Sequence, residues 1–335
     1  MKVDFHIHLE EGPYTNNFFN KTITSIDTVK GIQATHTLDD IERKAQLFNE
    51  RMDKGDYSEW WLDLYLEMSL QKGLKQVGIV DHLYRFEETR DYFLKYMDVS
   101  DTDLGCRQRE WLNQVMTHKM DDFVTFINSQ KEKWDKAGVE LKLGIEADYF
   151  IGGEEELKSL LAPYEFDYII GSVHFNHGWG FDNPELENKF NEYDLVKLYT
   201  DHFNTVIRAA ESGIFSFIAH LDNLKVFNYR PEEALLIPLY EQVAEALAKN
   251  DVATEVNVGL KYRYPVKEQC PSDRFIKVLS EYDVKFTTSS DSHFPHDIGI
   301  YNDEIRDLLK RNGVESIVTF SKMKREEKDI KSIIH

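Results

Sequence analysis

Seven short apolar runs, most of them ending in a side chain able to bind a metal, constrain this chain more than any other feature. They are KVDFHIH (2–8), QVGIVDH (76–82), ELKLGIEAD (140–148), DYIIGSVH (167–174), FSFIAH (215–220), VATEVNVG (252–259) and VKFTTSSDSH (284–293). Each is short, often β-branched and bounded by turn or polar residues, as buried parallel strands are. The segments between them have helical character. In 232–249, Leu235, Leu239, Val243 and Leu247 recur at fourfold spacing as one apolar stripe, and Pro231 suits the helix start. Residues 121–137 and 185–212 read in the same way. Strands alternating with helices predict an α/β fold whose parallel sheet closes, or nearly closes, as a barrel.

A barrel of this kind takes roughly 200–250 residues or more as one domain, so residues 1–335 are expected to form a single barrel domain. Residues 15–75 are long for one crossover. They predict a helical insertion packed on the barrel, with EWWLDLYLEM (59–68) as a helix. The charged tail SKMKREEKDIKSIIH (321–335) is expected to be a solvated helix or a frayed end.

The chemistry lies where the runs end. His6 and His8 stand two apart, so on a strand they share one face, and Asp4 is expected on that face too. Asp81–His82, Glu146, His174, His220 and Asp291–x–His293 end other predicted strands, and in a parallel barrel those ends share the face where active sites form. Six of the 12 histidines occupy such positions. A lone HxH is as readily two surface histidines, but chance would scatter the whole set through helices and loops. Imidazole with carboxylate and no thiolate suits zinc, iron or manganese. Six histidines and at least two carboxylates exceed one mononuclear site, which predicts two or three metals with a carboxylate bridge. Clustered divalent metals can generate hydroxide at neutral pH and clamp a phosphoryl group.

Charge and cysteine content narrow the partners. The net charge of −20 disfavours binding to nucleic acid. No run of 18 apolar residues occurs, so no membrane span is expected. Two cysteines, Cys106 and Cys270, suggest no disulfide framework, and a cytoplasmic location is the expectation.

The ordered set HxH (His6, His8), DH (Asp81, His82), GIEAD (Glu146), SVHF (His174), AH (His220) and SSDSH (Asp291, His293) closely resembles the PHP (polymerase and histidinol phosphatase) superfamily. IIGSVHFNHGWGFD (169–182) and EVNVGLKYRYPVKEQCPS (255–272) resemble its histidinol-phosphatase branch. The resemblance covers nearly the whole chain outside 15–75. It implies a distorted (β/α)7 TIM-like barrel with three divalent metal ions. One metal would take His6, His8, Glu146 and Asp291. A second would share Glu146 and take His174 and His220. The third would take His82, His293 and a residue after the first strand. Many relatives have a histidine there, where this chain has Tyr14; Glu10 or Glu11 is expected to substitute, with Glu11 favoured.

The same resemblance implies cationic contacts to phosphate. Where the branch has GLRK this chain has GLKYRY, making Lys261 and Arg263 candidates, with Arg85 a third. His177, Trp179 and Asp182 are candidates to shape the substrate pocket. The implied function is a phosphomonoesterase acting on a small phosphorylated substrate, L-histidinol phosphate above others, by attack of metal-bound hydroxide. Glu146 would be the bridging carboxylate, and Asp291 would serve as ligand and as proton donor. The alternatives are a phosphodiesterase or exonuclease of the same superfamily and a non-catalytic metal-binding module.

Overall fold

The computed structural model describes residues 1–10 and 14–330. In chain order the first nine strands are β1 (Val3–Ile7), β2 (Gln76–Ile79), β3 (Glu140–Asp148), β4 (Tyr168–Ser172), β5 (Phe175–Asn176), β6 (Trp179–Gly180), β7 (Phe217–Ile218), β8 (Ala253–Asn257) and β9 (Phe286–Ser289). All but β5 and β6 form one seven-stranded sheet in the order β1-β2-β3-β4-β7-β8-β9. Every pairing in it is parallel. The last strand returns to the first: the His8 amide donates to Ser292 O at 2.7 Å, and Thr288 Oγ1 donates to Val3 O at 2.8 Å. The seven runs therefore build a distorted, nearly closed (β/α)7 barrel.

The register of β1 against β2 shifts between Asp4 and Ile7. The Asp4 carboxylate does not join the two histidines. It accepts the amides of Ser290 (2.9 Å) and Gly299 (2.8 Å) instead, closing the barrel from within.

Three helices, α1 (Asn16–Val29), α2 (Leu38–Lys54) and α3 (Glu59–Lys72), occupy the long segment after β1. Thr15 and Thr37 cap the first two through their side chains. These helices hold the end of β1. Trp61 Nε1 donates to Leu9 O and Tyr65 Oη to His8 O, both at 2.8 Å, and buried Arg51 pairs with Glu10. After β2 come α4 (Arg90–Tyr96), α5 (Asp103–Val115) and α6 (Met120–Ala137), then α7 (Glu154–Leu161) after β3. The rest are α8 (Leu195–Glu211), α9 (Glu233–Lys249), α10 (Gly259–Arg263), α11 (Asp273–Glu281) and α12 (Asn302–Arg311). Among the described residues no helix is long and apolar enough to cross a membrane.

Three further expectations need correction. Residues 185–212 are not one helix: a 3-10 segment, Pro184–Glu192, ends before Asp194, whose side chain accepts the Lys197 amide and starts α8 afresh. The buried stripe of α9 begins at Leu236, leaving Leu235 exposed. The charged tail is not helical where it is described. Lys324–Asp329 is a strand, β11, antiparallel to β10 (Ser316–Ser321), and Lys322 and Met323 turn the chain with positive φ. The charged KREEKD lacks an apolar alternation because β10, not β11, supplies the buried residues. Phe320 of β10 packs against Phe217 (5.3 Å), Phe5 (5.6 Å) and Tyr168 (5.9 Å), an aromatic plug under the barrel.

Candidate metal centre

The strand ends opposite that plug carry a cluster centred on Glu146, which is fully buried at the end of β3. Its Oε2 lies 2.8 Å from His82 Nδ1, 3.1 Å from His6 Nε2 and 3.3 Å from His8 Nε2. Its Oε1 lies 3.1 Å from His220 Nε2 and 3.4 Å from His174 Nε2. His293 stacks on His8 at 4.4 Å, and His8 on His82 at 4.1 Å. Asp291 Oδ1 is 3.9 Å from His8 Nε2. The structure thus brings His6, His8, His82, Glu146, His174, His220, Asp291 and His293 together.

The donor set fits divalent cations. Imidazole nitrogens face one another at 3.1 Å (His6 with His8) and 3.3 Å (His174 with His220), which favours a positive charge between their lone pairs. Ligand atoms lie within 4.8 Å of one another in the sets His8, His82, His293; His6, His8, Asp291; and His82, Glu146, His174. Glu146 Oε2 and the Nδ1 atoms of His8, His82 and His220 are buried without a hydrogen bond, whereas buried polar atoms ordinarily have one.

Two carboxylates that the sequence reading did not assign orient this set. Glu255 of β8 lies 3.1 Å from His6 Nδ1. It is held by Ser289 Oγ and, at 2.8 Å, by Asn257 Nδ2. Asp148 Oδ1 lies 2.8 Å from His174 Nδ1. A carboxylate on one ring nitrogen fixes the tautomer and aims the other at a metal. Both could have been suspected: Asp148 stands two beyond Glu146, and Glu255 interrupts an apolar strand.

Proton affinities follow the same pattern. Burial opposes charge on His6, but Glu255 and Glu146 outweigh it and raise its pKa well above the ordinary value. Burial likewise opposes charge on His174, and Asp148 with Glu146 raises it to about 10. Burial and His82 push His8 well down; burial, Arg263 and His8 do the same to His293. Glu146 stays ionised well below the usual range, because His82, His6 and His174 overcome its burial. The raised proton affinities of His6 and His174 mean that cations compete with protons for these rings.

The cluster floors a cavity of about 630 Å³ lined also by Tyr84, Trp111, Asp182, Asn223 and Arg263. Arg263 sits beside the cluster, with Nη2 2.8 Å from Asp291 Oδ2 and Nη1 2.9 Å from His293 Nδ1. Position 259 requires glycine for this, because a Cβ there would stand 2.4 Å from Asp291 Oδ2. Asp291 itself has φ 54°, a left-handed conformation that is sparsely populated outside glycine and recurs at functional sites.

The other cationic candidates are placed elsewhere. Arg85 is buried and spent on Asp56 (2.9 Å) and Asp81 (3.3 Å). Lys261 pairs with Glu304 and lies 4.7 Å over the Tyr301 ring. His177 is exposed on the β5–β6 turn, 3.0 Å from Asp201. Trp179 is buried and stacked on Tyr193. Glu11 lies outside the described residues; Glu10 is engaged by Arg51, and Tyr14 is 56% exposed.

Comparison with known proteins agrees with this geometry. A family model described as the PHP domain matches residues 58–259. A Deinococcus radiodurans protein named "Probable histidinol-phosphatase" is 32% identical over 220 residues, 64% of this chain and 82% of that protein. The histidinol-phosphatase of Lactococcus lactis subsp. lactis is 26% identical over 256 residues, 73% of this chain and 86% of that one. In fold, the chain resembles the crystal structure of the Lactococcus lactis histidinol phosphate phosphatase complexed with zinc, L-histidinol and phosphate. The TM-score is 0.64 at 16% identity, with 97% of this chain and 98% of the other covered.

Proposed function

Because the chain belongs to the PHP domain family, we propose that it is a metal-dependent phosphomonoesterase that hydrolyses L-histidinol phosphate to L-histidinol and phosphate. The observation that carries this reading is a carboxylate, Glu146, with imidazoles on both oxygens, beside a cavity-lining arginine. Arginine matches the planar oxygens of a phosphoryl group. The named relatives support the choice of substrate.

Three divalent ions of zinc, iron or manganese are proposed. His6, His8, Glu146 and Asp291 would hold one; Glu146, His174 and His220 another; His82, His293 and Glu11 the third. When bound they would lower the pKa of water and neutralise charge on the phosphoryl oxygens. The chain's own residues do the rest. Arg263 holds the phosphoryl group. Asp291, oriented by Arg263, takes the proton from the attacking water as its oxygen bonds to phosphorus. As the ester P–O bond breaks, Asp291 returns that proton to the leaving alkoxide. Arg85 and Lys261 are not assigned to phosphate, nor His177 to substrate, since each is engaged elsewhere.

Metal analysis of the purified protein, together with a screen of phosphate mono- and diesters, tests the reading. Two to three equivalents of transition metal and a preference for histidinol phosphate are expected. Metal-replete protein that cleaves only diesters, or no ester, would overturn it.

A further inference from the structure

Two ways of aiming a histidine coexist in the cluster. His6 and His174 are turned by carboxylates on their rings, Glu255 and Asp148. Among the described residues, His8 and His82 have no carboxylate on their rings other than Glu146 and Asp291 of the cluster itself. Their rings stack instead, in the order Tyr84, His82, His8, His293, with centroids 4.6, 4.1 and 4.4 Å apart. Such a stack keeps its direction only if the backbone beneath it is fixed.

That backbone is held by the segment between β1 and β2. The pairing of β1 with β2 ends at Ile7, so the carbonyls beyond it need donors from elsewhere. Helix α3 supplies them: Tyr65 Oη donates to His8 O and Trp61 Nε1 to Leu9 O, both at 2.8 Å. Arg51 of α2 pairs with the next residue, Glu10, and its guanidinium lies 4.7 Å over the Trp61 ring. The His8 amide donates to Ser292 O on the other side, so His8 is fixed at both its amide and its carbonyl.

The same segment grips the second histidine. Tyr57 Oη donates to Asp81 Oδ2. The other oxygen, Asp81 Oδ1, accepts the His82 amide at 2.8 Å and lies 3.3 Å from Arg85 Nε. Arg85 is in turn held at 2.9 Å by Asp56, the neighbour of Tyr57 in sequence. Asp81 is 1% exposed, so removing the phenol would leave a buried carboxylate oxygen without a donor, which is costly.

Resting on the metal-dependent reading above, we infer that Tyr57 and Tyr65 are positioning residues for the cation held at His82 and His293, beside His8. Tyr65 acts on the His8 carbonyl, and Tyr57 acts through Asp81 on His82; neither tyrosine lines the cavity. The helical segment between β1 and β2 is thereby part of the metal centre. It aims one group of ligands through their backbones, while Glu255 and Asp148 aim the other through their rings.

The test takes zinc-loaded protein through a graded chelator series and measures the zinc retained at each step, alongside the urea midpoint. Phenylalanine keeps both rings packed, so the variants are Tyr57→Phe and Tyr65→Phe. In each, one equivalent of zinc is expected to leave at a free-zinc concentration about 10–100-fold higher than in the wild type, with the remaining equivalents unmoved. Thr37→Ala removes the side-chain cap of α2 and so weakens the same segment without touching either tyrosine; its zinc profile should match the wild type. Uniform loss of every equivalent, an unchanged profile in both tyrosine variants, or an equal shift in Thr37→Ala would each overturn the inference and leave the tyrosines as packing residues. A wild-type protein that releases zinc in separate steps but hydrolyses no phosphoester would remove the phosphatase reading and leave the positioning role standing. A wild-type protein that retains fewer than two equivalents would remove both.

Discussion

The two ends of the barrel use the same strands for opposite purposes. At the lower end Phe5, Tyr168, Phe217 and Phe320 meet ring to ring at 5.2–5.9 Å. Tyr168 crosses the interior so closely that Gly78 and Gly144 have no room for a Cβ. At the upper end the same strands present His6, Glu146, His220 and Glu255. The lower layer gains from removing apolar surface from water. The upper layer gathers buried carboxylates and imidazoles, which cost free energy unless charge compensates charge. A barrel can hold that upper layer only because the lower one and the helices around it supply the stability.

The comparison is most severely tested by Glu146→Gln. A neutral amide cannot offer two anionic oxygens to five imidazoles, so turnover should fall by about 10³-fold or more and metal content should fall with it. Because the lower plug is untouched, the far-UV spectrum should remain. Turnover retained at full metal occupancy would mean that Glu146 does not bridge.

The reverse change is Phe320→Ala in the plug. Large aromatic truncations in a core cost about 3–5 kcal/mol, read as a lower urea midpoint. Metal stoichiometry of the folded fraction should stay at the wild-type value. A variant that loses metal without losing stability would break the division between the ends.

Two buried histidines sharpen it further. His174 has a carboxylate partner, whereas His202 Nε2 faces only the Leu221 carbonyl at 3.0 Å, and burial lowers its pKa to about 4. The unfolded chain accepts a proton near pH 6.5 that folded His202 refuses until about pH 4. Its stabilising contribution is therefore present above pH 6.5 and is lost as pH falls through that window, by about 3 kcal/mol in all. Urea titrations from pH 7 to 4.5 should show a shallower pH dependence for His202→Asn than for the wild type. Parallel curves would place the pH dependence elsewhere.

The smallest effect is expected from Glu255→Gln, which keeps the shape but weakens the hold on His6 Nδ1. Loss of such an orienting carboxylate typically costs 10–100-fold in metal affinity or activity. Chelator competition should show that loss with little change in thermal midpoint. Unchanged affinity would leave Glu255 a packing residue.

Much of this was legible in the order of residues. Strand ends are local: an apolar run followed by His or Asp marks both a strand and its polar exit, so the seven-stranded barrel and the gathering of His6, His8, His82, Glu146, His174, His220, Asp291 and His293 could be read from the chain. What could not be read depends on partners distant in sequence. Of Arg85, Lys261 and Arg263, only Arg263 lines the cavity, because Asp56, Asp81 and Glu304 engage the other two. Lys324–Asp329 becomes a strand only because Ser316–Ser321 covers one edge of it. Glu255 turns from an odd charge in an apolar strand into a partner of His6, 249 residues away. Periodicity and turn chemistry act over a few residues, so the sequence by itself determined the elements and the chemistry at their ends. Long-range charge pairing is settled only when the chain closes, so the tertiary structure alone decided which charged side chains face the cavity and which are neutralised before they reach it.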